Sequence, residues 1–253
     1  MIKIDNLFYS PVKSISFTES SSLKIYKDKG IANDRVFAFI QNIDSIKKKS
    51  LINDPNCRKL NYFITLKNTP ELNNYNFVFL NNKLILKTLD KEIISINPYS
   101  ENDKKIISQK ISDIIHKNKI IDFLMDTTHP FFDTMPNNSI SLVNKNSIND
   151  FSKKISANIE FERFRANIYI DGLKAWHERN WIGKTISINN INFLVTNEIP
   201  RCSATNLKPS TNIVTINLPK QLKKTYDHIN MGVYLVPQQN GVIALNEEII
   251  VHD

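Results

Sequence analysis

"FERFRANIYIDGLKAWHERNWIGKTISINNINFLV", residues 161–195, decides the architecture. Within it "RANIYID" (165–171) is rich in β-branched and aromatic residues and reads as a strand. Its last part, "ISINNINFLV", sets Asn189 and Asn190 between two apolar runs. Asparagine tolerates the positive φ of a tight hairpin turn, so this stretch reads as two antiparallel strands. A second hairpin of the same design, "FVFLNNKLIL", turns at Asn81 and Asn82. Outward from these, strands are expected at 2–9, 22–26, 36–40, 62–66, 77–80, 212–217 ("NIVTIN"), 232–236 ("GVYLV") and 247–253 ("EEIIVHD"). Many short strands with turn signals indicate a barrel or a sandwich.

Two helices interrupt the β pattern. "NDKKIISQKISDIIHKNK" (102–119) gathers Ile106, Ile107, Ile111, Ile114 and Ile115 on one face, and "NKNSINDFSKKI" (144–155) gathers Ile148, Phe151 and Ile155. The second has Asn146 and Ser147 as capping candidates. The intervening segment of about 120–139 is turn-rich and reads as a connection between two lobes, with Asp133 a candidate pocket residue. The division expected on this basis is 1–118 and 119–253.

The hydrophobic content of 41% and charged content of 23% are those of an ordinary globular chain. No apolar run approaches the roughly 20 residues needed to cross a bilayer, so no membrane segment is expected. Asp5 and Asn6 interrupt the apolar residues of the N-terminus, which does not read as a signal peptide. Cys57 and Cys202 make no disulfide framework, and a reducing cytoplasm is the expected compartment. The formal charge of +8 sits in the first half: residues 1–125 hold 20 Lys and Arg against 13 Asp and Glu, residues 126–253 hold 13 against 12. An Asn-, Ile- and Lys-rich composition accounts for this as a solvated surface, and no nucleic-acid partner is expected. An RNA-binding barrel would interleave aromatic and basic residues on an open sheet, and only "FERFR" does so.

That lysine bias makes arginine informative. Only six of the 33 cationic side chains are arginine: Arg35, Arg58, Arg163, Arg165, Arg179 and Arg201. A planar, bidentate fork for phosphate or carboxylate needs arginine, whereas a plain positive charge does not. The five glycines are too dispersed for a phosphate-cradling loop, no histidine pair has zinc-ligand spacing, and no Gly-x-Ser-x-Gly elbow occurs.

Four segments then carry the candidate chemistry. "YSPVKS" (9–14) ends a strand and delivers Lys13 and Ser14; "GIANDRVF" (30–37) turns at Gly30 and brings Arg35; "FERFRANIYIDG" brings Arg163, Arg165 and Asn167; "IPRCSATNLKP" (199–209) sets Cys202 beside Arg201. A cation next to a thiol favours thiolate. The neighbouring Asp34 reads as one half of an exposed ion pair with Arg35, and Arg163 and Arg165 as a half-buried strand edge.

The order "PVKS", "G…DR", "FRANI", "RC", "GVY" resembles the MOSC family, domains like the C-terminal part of molybdenum cofactor sulfurase. The resemblance extends over the whole chain, with residues 1–118 similar to the β-barrel-like unit that precedes MOSC domains and 119–253 to the MOSC domain itself. It implies a mainly β (α+β) protein: a MOSC-type β-barrel, an N-terminal β-barrel-like lobe and a few flanking helices. By layout the chain is similar to the mitochondrial amidoxime-reducing component and to bacterial reductases of N-hydroxylated compounds. The resemblance implies a molybdenum cofactor (Mo-molybdopterin). Cys202 would be the catalytic residue and metal thiolate, and Lys13, Ser14, Arg35, Arg165, Asn167 and Arg201 would hold the pterin and its phosphate. It further implies a small-molecule N-hydroxylated or N-oxide substrate. Because no cysteine cluster follows Cys202, electrons are expected from a separate donor: a ferredoxin, a flavoprotein or a cytochrome b5-like protein. A cofactor or persulfide carrier without turnover would use the same residues and is the alternative. The chain departs from the family pattern at Lys208, Thr211 and Asn212, beside the cysteine loop.

Overall fold

A computed structural model describes residues 1–115, 120–132 and 136–252. The helix end expected at 116–119, His116 and Asp133 lie outside the described residues. The largest sheet takes strands from both halves of the chain. They are β1 (Lys3–Tyr9), β2 (Thr18–Ser20), β10 (Ile140–Asn144), β11 (Ile168–Asp171), β12 (Thr185–Ile188), β13 (Ile191–Pro200), β14 (Asn230–Pro237) and β16 (Ile249–His252). Their order is β16-β12-β13-β14-β10-β11-β1-β2. Every ladder is antiparallel except β10–β11, where Leu142 pairs with Ile168 in parallel.

Among the described residues no ladder closes this sheet into a barrel, but its ends meet. Ile4 N donates to Glu247 O, Asn246 N to Ile4 O and Ile249 N to Ile2 O, and Lys3 bridges Glu248. The outer edge of β1 is therefore divided, its start meeting 246–249 and its end pairing with β2.

Period-two alternation explains why both faces are apolar. Leu142, Ile168, Ile170, Val233 and Leu235 point into one core, shared with β3 (Ser22–Tyr26), β4 (Gly30–Ile31) and β15 (Gly241–Ala244). Val143 and Tyr169, the alternate members of β10 and β11, point to the other face, and Met231 joins them because the positive φ of Gly232 breaks the alternation between it and Val233. There they pack on α3 (Lys145–Lys154) and α4 (Leu218–Tyr226). Gly232 crosses β10 so closely that a Cβ would lie 2.2 Å from Leu142 O, and its φ of 82° disfavours any other residue. The "GVY" pattern therefore marks a close strand crossing.

The second lobe has its own core. It joins β5 (Phe37–Gln41) and β9 (Ile121–Met125), the meander β6 (Asn76–Leu80), β7 (Lys83–Lys87) and β8 (Glu92–Ile96), and α2 (Glu101–Ile115). Helix α1 (Ser45–Asn53) adds Leu51 to a smaller cluster with Phe63 and Phe131.

Several expectations are corrected. Residues 60–62 form a 3-10 turn, and only Phe63 bridges Ile40. Residues 212–217 hold a single bridge, Leu207 to Val214. The segment read as a connection contains β9, paired with β5 from Gln41↔Ile121 to Phe37↔Met125. Helix α3 is capped by Asn144, whose side chain accepts from Asn146 N, and not by Asn146 or Ser147. Ile106 stays 43% exposed while Ile107, Ile111 and Ile115 are buried. No helix among the described residues is long and apolar enough to cross a membrane.

Candidate functional site

The "PVKS" turn leaves β1 and folds back on itself: Ser10 Oγ donates to Ser16 O at 2.7 Å and Val12 N to Ser16 Oγ at 2.9 Å. Ser14 is held at φ 63°. The "NDR" turn lies alongside, with Arg35 N donating to Ser10 O at 2.6 Å and Lys13 N to Phe37 O at 2.8 Å. Asp34 joins the two turns. Its Oδ1 accepts from Ser10 N at 2.6 Å, and its other oxygen pairs with Arg35 Nη1. It is 1% exposed, which overturns the reading of an exposed pair. Burial pushes its carboxyl above the ordinary value, against the opposing pull of Arg35, Ser10 N and Asn167.

The "FERF" segment that leads into "RANI" is a 3-10 turn, Phe161–Phe164, rather than a strand edge. Arg165 follows it at φ 48°. Tyr169 Oη braces this kink, donating to Phe161 O at 2.8 Å and accepting from Ala166 N at 3.0 Å. Arg165 Nη2 donates to Ser14 O at 3.1 Å and also to Ser16 O. Its Nε and Nη1 have no acceptor among the described residues. Burial, and next the neighbouring Arg35 cation, push the Arg165 guanidinium down to about 10. Opposing this are Tyr169, Cys202 and Asp34, so all four groups lie within electrostatic reach of Arg165.

The cysteine loop leaves the end of β13. Cys202 is exposed and precedes the 3-10 turn Ser203–Asn206, with its carbonyl accepting from Thr205 N at 3.1 Å and Thr205 Oγ1 at 2.8 Å. Arg201 beside it is 8% exposed and turns inward. Its Nε donates to Met231 O at 2.9 Å, its Nη1 to Phe164 O at 2.8 Å, and its Nη2 also to Met231 O.

The seven expected site residues thus divide. Cys202, Arg165, Arg35 and the backbone of Ser14 come together. Asn167 stands behind them as a buried brace, accepting from Ser141 Oγ at 2.8 Å and donating to Phe8 O at 3.2 Å. The Arg201 fork is spent on backbone carbonyls. Lys13 is 2% exposed, with Nζ on Phe131 O at 2.9 Å and 5.2 Å over the Phe63 ring, partners in the second lobe. Asp34 is the member that sequence reasoning missed, because "NDR" looks like any charged turn. Its burial comes from packing against Ser10 and Asn167, far away along the chain.

A cleft of about 400 Å³ opens where the cysteine loop meets the second lobe, lined by Phe8, Phe17, Tyr75, Arg165, Ala204 and Leu207 among others. Phe8 and Phe17 stack at 4.0 Å, and the Arg165 guanidinium lies 5.3 Å over Phe17. Of the seven residues only Arg165 lines this cleft.

Two neighbouring guanidiniums with one buried carboxylate, paired to Arg35, leave a positive excess, and the uncommitted N–H groups of Arg165 can donate to a further anion. An exposed thiol stands beside them, and among the described residues no group of three His, Cys, Asp or Glu could hold a metal without help. A soft thiolate next to oxyanion-binding forks suits a metal that brings its own phosphorylated organic ligand. The residues present fit such a group.

A family model described as the MOSC domain matches residues 130–250. Residues 130–250 are a MOSC domain. MOSC domains are associated with binding of the molybdenum cofactor. This one contains Arg165, Asn167, Arg201 and Cys202, while Ser14 and Arg35 reach the candidate site from outside it and Lys13 also lies outside the matched residues. The chain is also similar in structure to the YUAD protein from Bacillus subtilis, at 13% identity, 100% of this chain, 97% of that chain and a TM-score of 0.48. A second similar structure is YiiM from Geobacillus stearothermophilus, at 17% identity, 45% of this chain, 54% of that chain and a TM-score of 0.37. No curated protein matches the chain.

Proposed function

We propose that this chain binds a molybdenum pyranopterin cofactor through Cys202 and acts as a reductase of N-hydroxylated or N-oxide compounds. The observation that carries the reading is the Arg35–Arg165 pair: two self-repelling cations with one carboxylate, beside an exposed thiol. When bound, such a group supplies two-electron oxygen-atom transfer. The chain's own contribution is ligation and orientation. Cys202 offers a thiolate to the metal, and a bound metal keeps that sulfur deprotonated. Arg165 and Arg35 turn their free N–H groups to the phosphate, with the Ser14 hydroxyl as a further donor. Asp34 holds Arg35 in place and limits the repulsion between the forks. Lys13, Asn167 and Arg201 support the site from behind.

Electrons come, in this reading, from a separate ferredoxin, flavoprotein or cytochrome b5-like donor, which the lysine-rich first half would steer if it is acidic. The reaction is placed in the reducing cytoplasm, in keeping with two unpaired cysteines.

The test is metal and pterin analysis of the protein made in a host that synthesises the cofactor, beside Cys202→Ala. Near-stoichiometric molybdenum in the parent and its loss in the variant are expected, followed by N-hydroxylamine reduction that needs an added donor. Absence of molybdenum and pterin from both proteins sinks the reading. Molybdenum without turnover, across several donors and substrates, would replace the reductase by a cofactor carrier.

A further inference from the structure

Arg163 and Arg201 are both buried, and each donates to a carbonyl in the other's segment. The 3-10 turns Phe161–Phe164 and Ser203–Asn206 are each four residues long. A helical turn leaves its last carbonyls without a donor of its own. The last carbonyl of the first turn, Phe164 O, accepts from Arg201 Nη1 at 2.8 Å. The last carbonyl of the second, Asn206 O, accepts from Arg163 Nη1 at 3.0 Å. Each turn is capped by an arginine from the other's segment, Arg163 from within the first turn and Arg201 from two residues before the second.

Both arginines are anchored at their remaining nitrogens. Arg163 Nη2 donates to Thr215 Oγ1 at 2.7 Å and its Nε to Glu160 at 2.6 Å. Arg201 reaches Met231 O on β14 with Nε at 2.9 Å. At 4% and 8% exposure neither guanidinium is solvated, so each bond lost would strand a buried charge. Asn206 extends the tie, its Oδ1 accepting from Leu218 N at the start of α4 at 2.9 Å. The residue after Phe164 is Arg165, and the residue before Ser203 is Cys202. A slide of one turn past the other would break both caps at once.

We infer that Arg163 and Arg201 form a reciprocal clamp that fixes the Cys202 thiol relative to the Arg165 fork, and that both are positioning residues which do not touch the bound group. The inference rests on the proposed site for its purpose, but not for its geometry. Burial of the Arg201 guanidinium, which holds its pKa below the ordinary value, agrees with an inward-facing role. Lysine does not replace either arginine, because an ammonium donates from a single nitrogen and lacks the planar fork whose separated nitrogens span these acceptors.

The experiment uses the full chain in a Cys57→Ser background, made in a host without molybdenum cofactor, so that Cys202 is the one thiol. Cys202 is alkylated with a trifluoromethyl reagent and its fluorine resonance recorded for the parent and for Arg163→Lys, Arg201→Lys and Thr215→Val. Arg179→Lys, which alters a different ion pair, is the control. The parent and control should give one narrow line at one position. Both lysine variants should shift or split that line by more than its width, with Thr215→Val moving it the same way by less. Folded lysine variants that melt earlier but leave the line unmoved would show a merely structural role and overturn the clamp. Should the lysine variants not fold, an unmoved line in Thr215→Val overturns it equally. The reading needs no molybdenum, so failure of the cofactor assignment and failure of the clamp are separately visible.

Discussion

Ser14, Arg35 and Arg165 sit at φ 63°, 54° and 48°, left-handed conformations that cost a non-glycine residue about 1–2 kcal/mol each. Three of the seven expected site residues share this strain, and their neighbours impose it: Ser10 O holds Arg35 N at 2.6 Å and Glu162 O holds Arg165 N at 3.0 Å. Nothing in residue identity announces it, since serine and arginine rarely adopt such angles. Ser14 allows strain and chemistry to be separated, because its hydroxyl has no partner among the described residues. Ser14→Gly keeps the turn and removes the hydroxyl, so its melting temperature should match or exceed that of the parent. Its retention of molybdenum should fall about tenfold or more, the worth of a hydrogen bond to a charged group at about 1.5–3 kcal/mol. Ser14→Val adds β-branched crowding at an angle that Ser14 already holds at a cost, and should melt below the parent. Thermal melts with metal analysis on the two variants check this, and full metal retention in Ser14→Gly would remove the hydroxyl from the site.

At the scale of elements, what was legible followed from local signals. Asn81 and Asn82 take φ 49° and 59° between β6 and β7, and Asn189 takes 53° between β12 and β13, so both hairpins were readable from Asn-Asn alone. The faces of α2 and α3 were readable from isoleucine and phenylalanine spacing. Strands β9 and β10 were not, because both lie in or beside a turn-rich stretch and become strands only through partners distant in sequence. Helix α4 was missed because it is nine residues long, opens on Leu218-Pro219 and follows an apparent strand. At the candidate site arginine scarcity singled out the forks and the adjacent Arg201 singled out the thiol, whereas the inward turn of Arg201 depended on where Phe164 O and Met231 O would arrive. The seam of β13 and β14 offers a test at this scale. Its register shifts between Val195 and Glu198 and again before Pro200, just ahead of the cysteine loop. There Arg179 Nε donates to Glu198 Oε1, Arg179 Nη1 lies 2.9 Å from His228 Nε2, and Asn230 N lies 3.2 Å from His228 Nδ1. Donors face both ring nitrogens, so a protonated ring has no acceptor there. Burial first, and then Arg179, hold the His228 pKa below its ordinary 6.5, although Glu198 and Asp227 pull the other way. The unfolded chain therefore takes up the proton first, and stability present above pH 6.5 is lost as pH falls toward the folded pKa. Urea midpoints at pH 7.5 and 5.5 should fall further for the parent than for His228→Gln. An equal fall in both would remove His228 from the seam's pH response.

At the scale of the whole molecule, the expected division at 118/119 meets three ladders that cross it, one of them β3 with β15 from Ile25↔Gly241 to Ser22↔Ala244. β1 pairs with β11 from Lys3↔Asp171 to Leu7↔Ile168, and β5 pairs with β9 along five residues of each strand. Ile4 and Leu7 of β1, with Leu23, Ile25 and Ile31, fill the same core as Ile168, Val195 and Val233. Leu207 of the cysteine loop is buried in the core of the other lobe, and Asn73 of that lobe donates to Lys208 O at 3.0 Å and Thr211 O at 2.6 Å. Each lobe thus borrows apolar side chains from the other half of the chain, and the site is built on the seam where they are exchanged. A fragment of residues 119–253 would keep the MOSC domain match but expose the edge of β11 and lose five core side chains. At about 1.5–3 kcal/mol for each fully buried large apolar side chain, that loss is comparable to the whole stability of a domain, about 5–15 kcal/mol. The fragment should show no cooperative urea transition by itself, and mixing it with a fragment of residues 1–118 should restore one. Restoration would carry Arg35 and Ser14 back to Arg165, so inorganic phosphate should shift the melt of the mixture but not that of 119–253. A cooperative transition in 119–253 alone would show instead that the exchanged strands are dispensable and that the division is one between independently folding units.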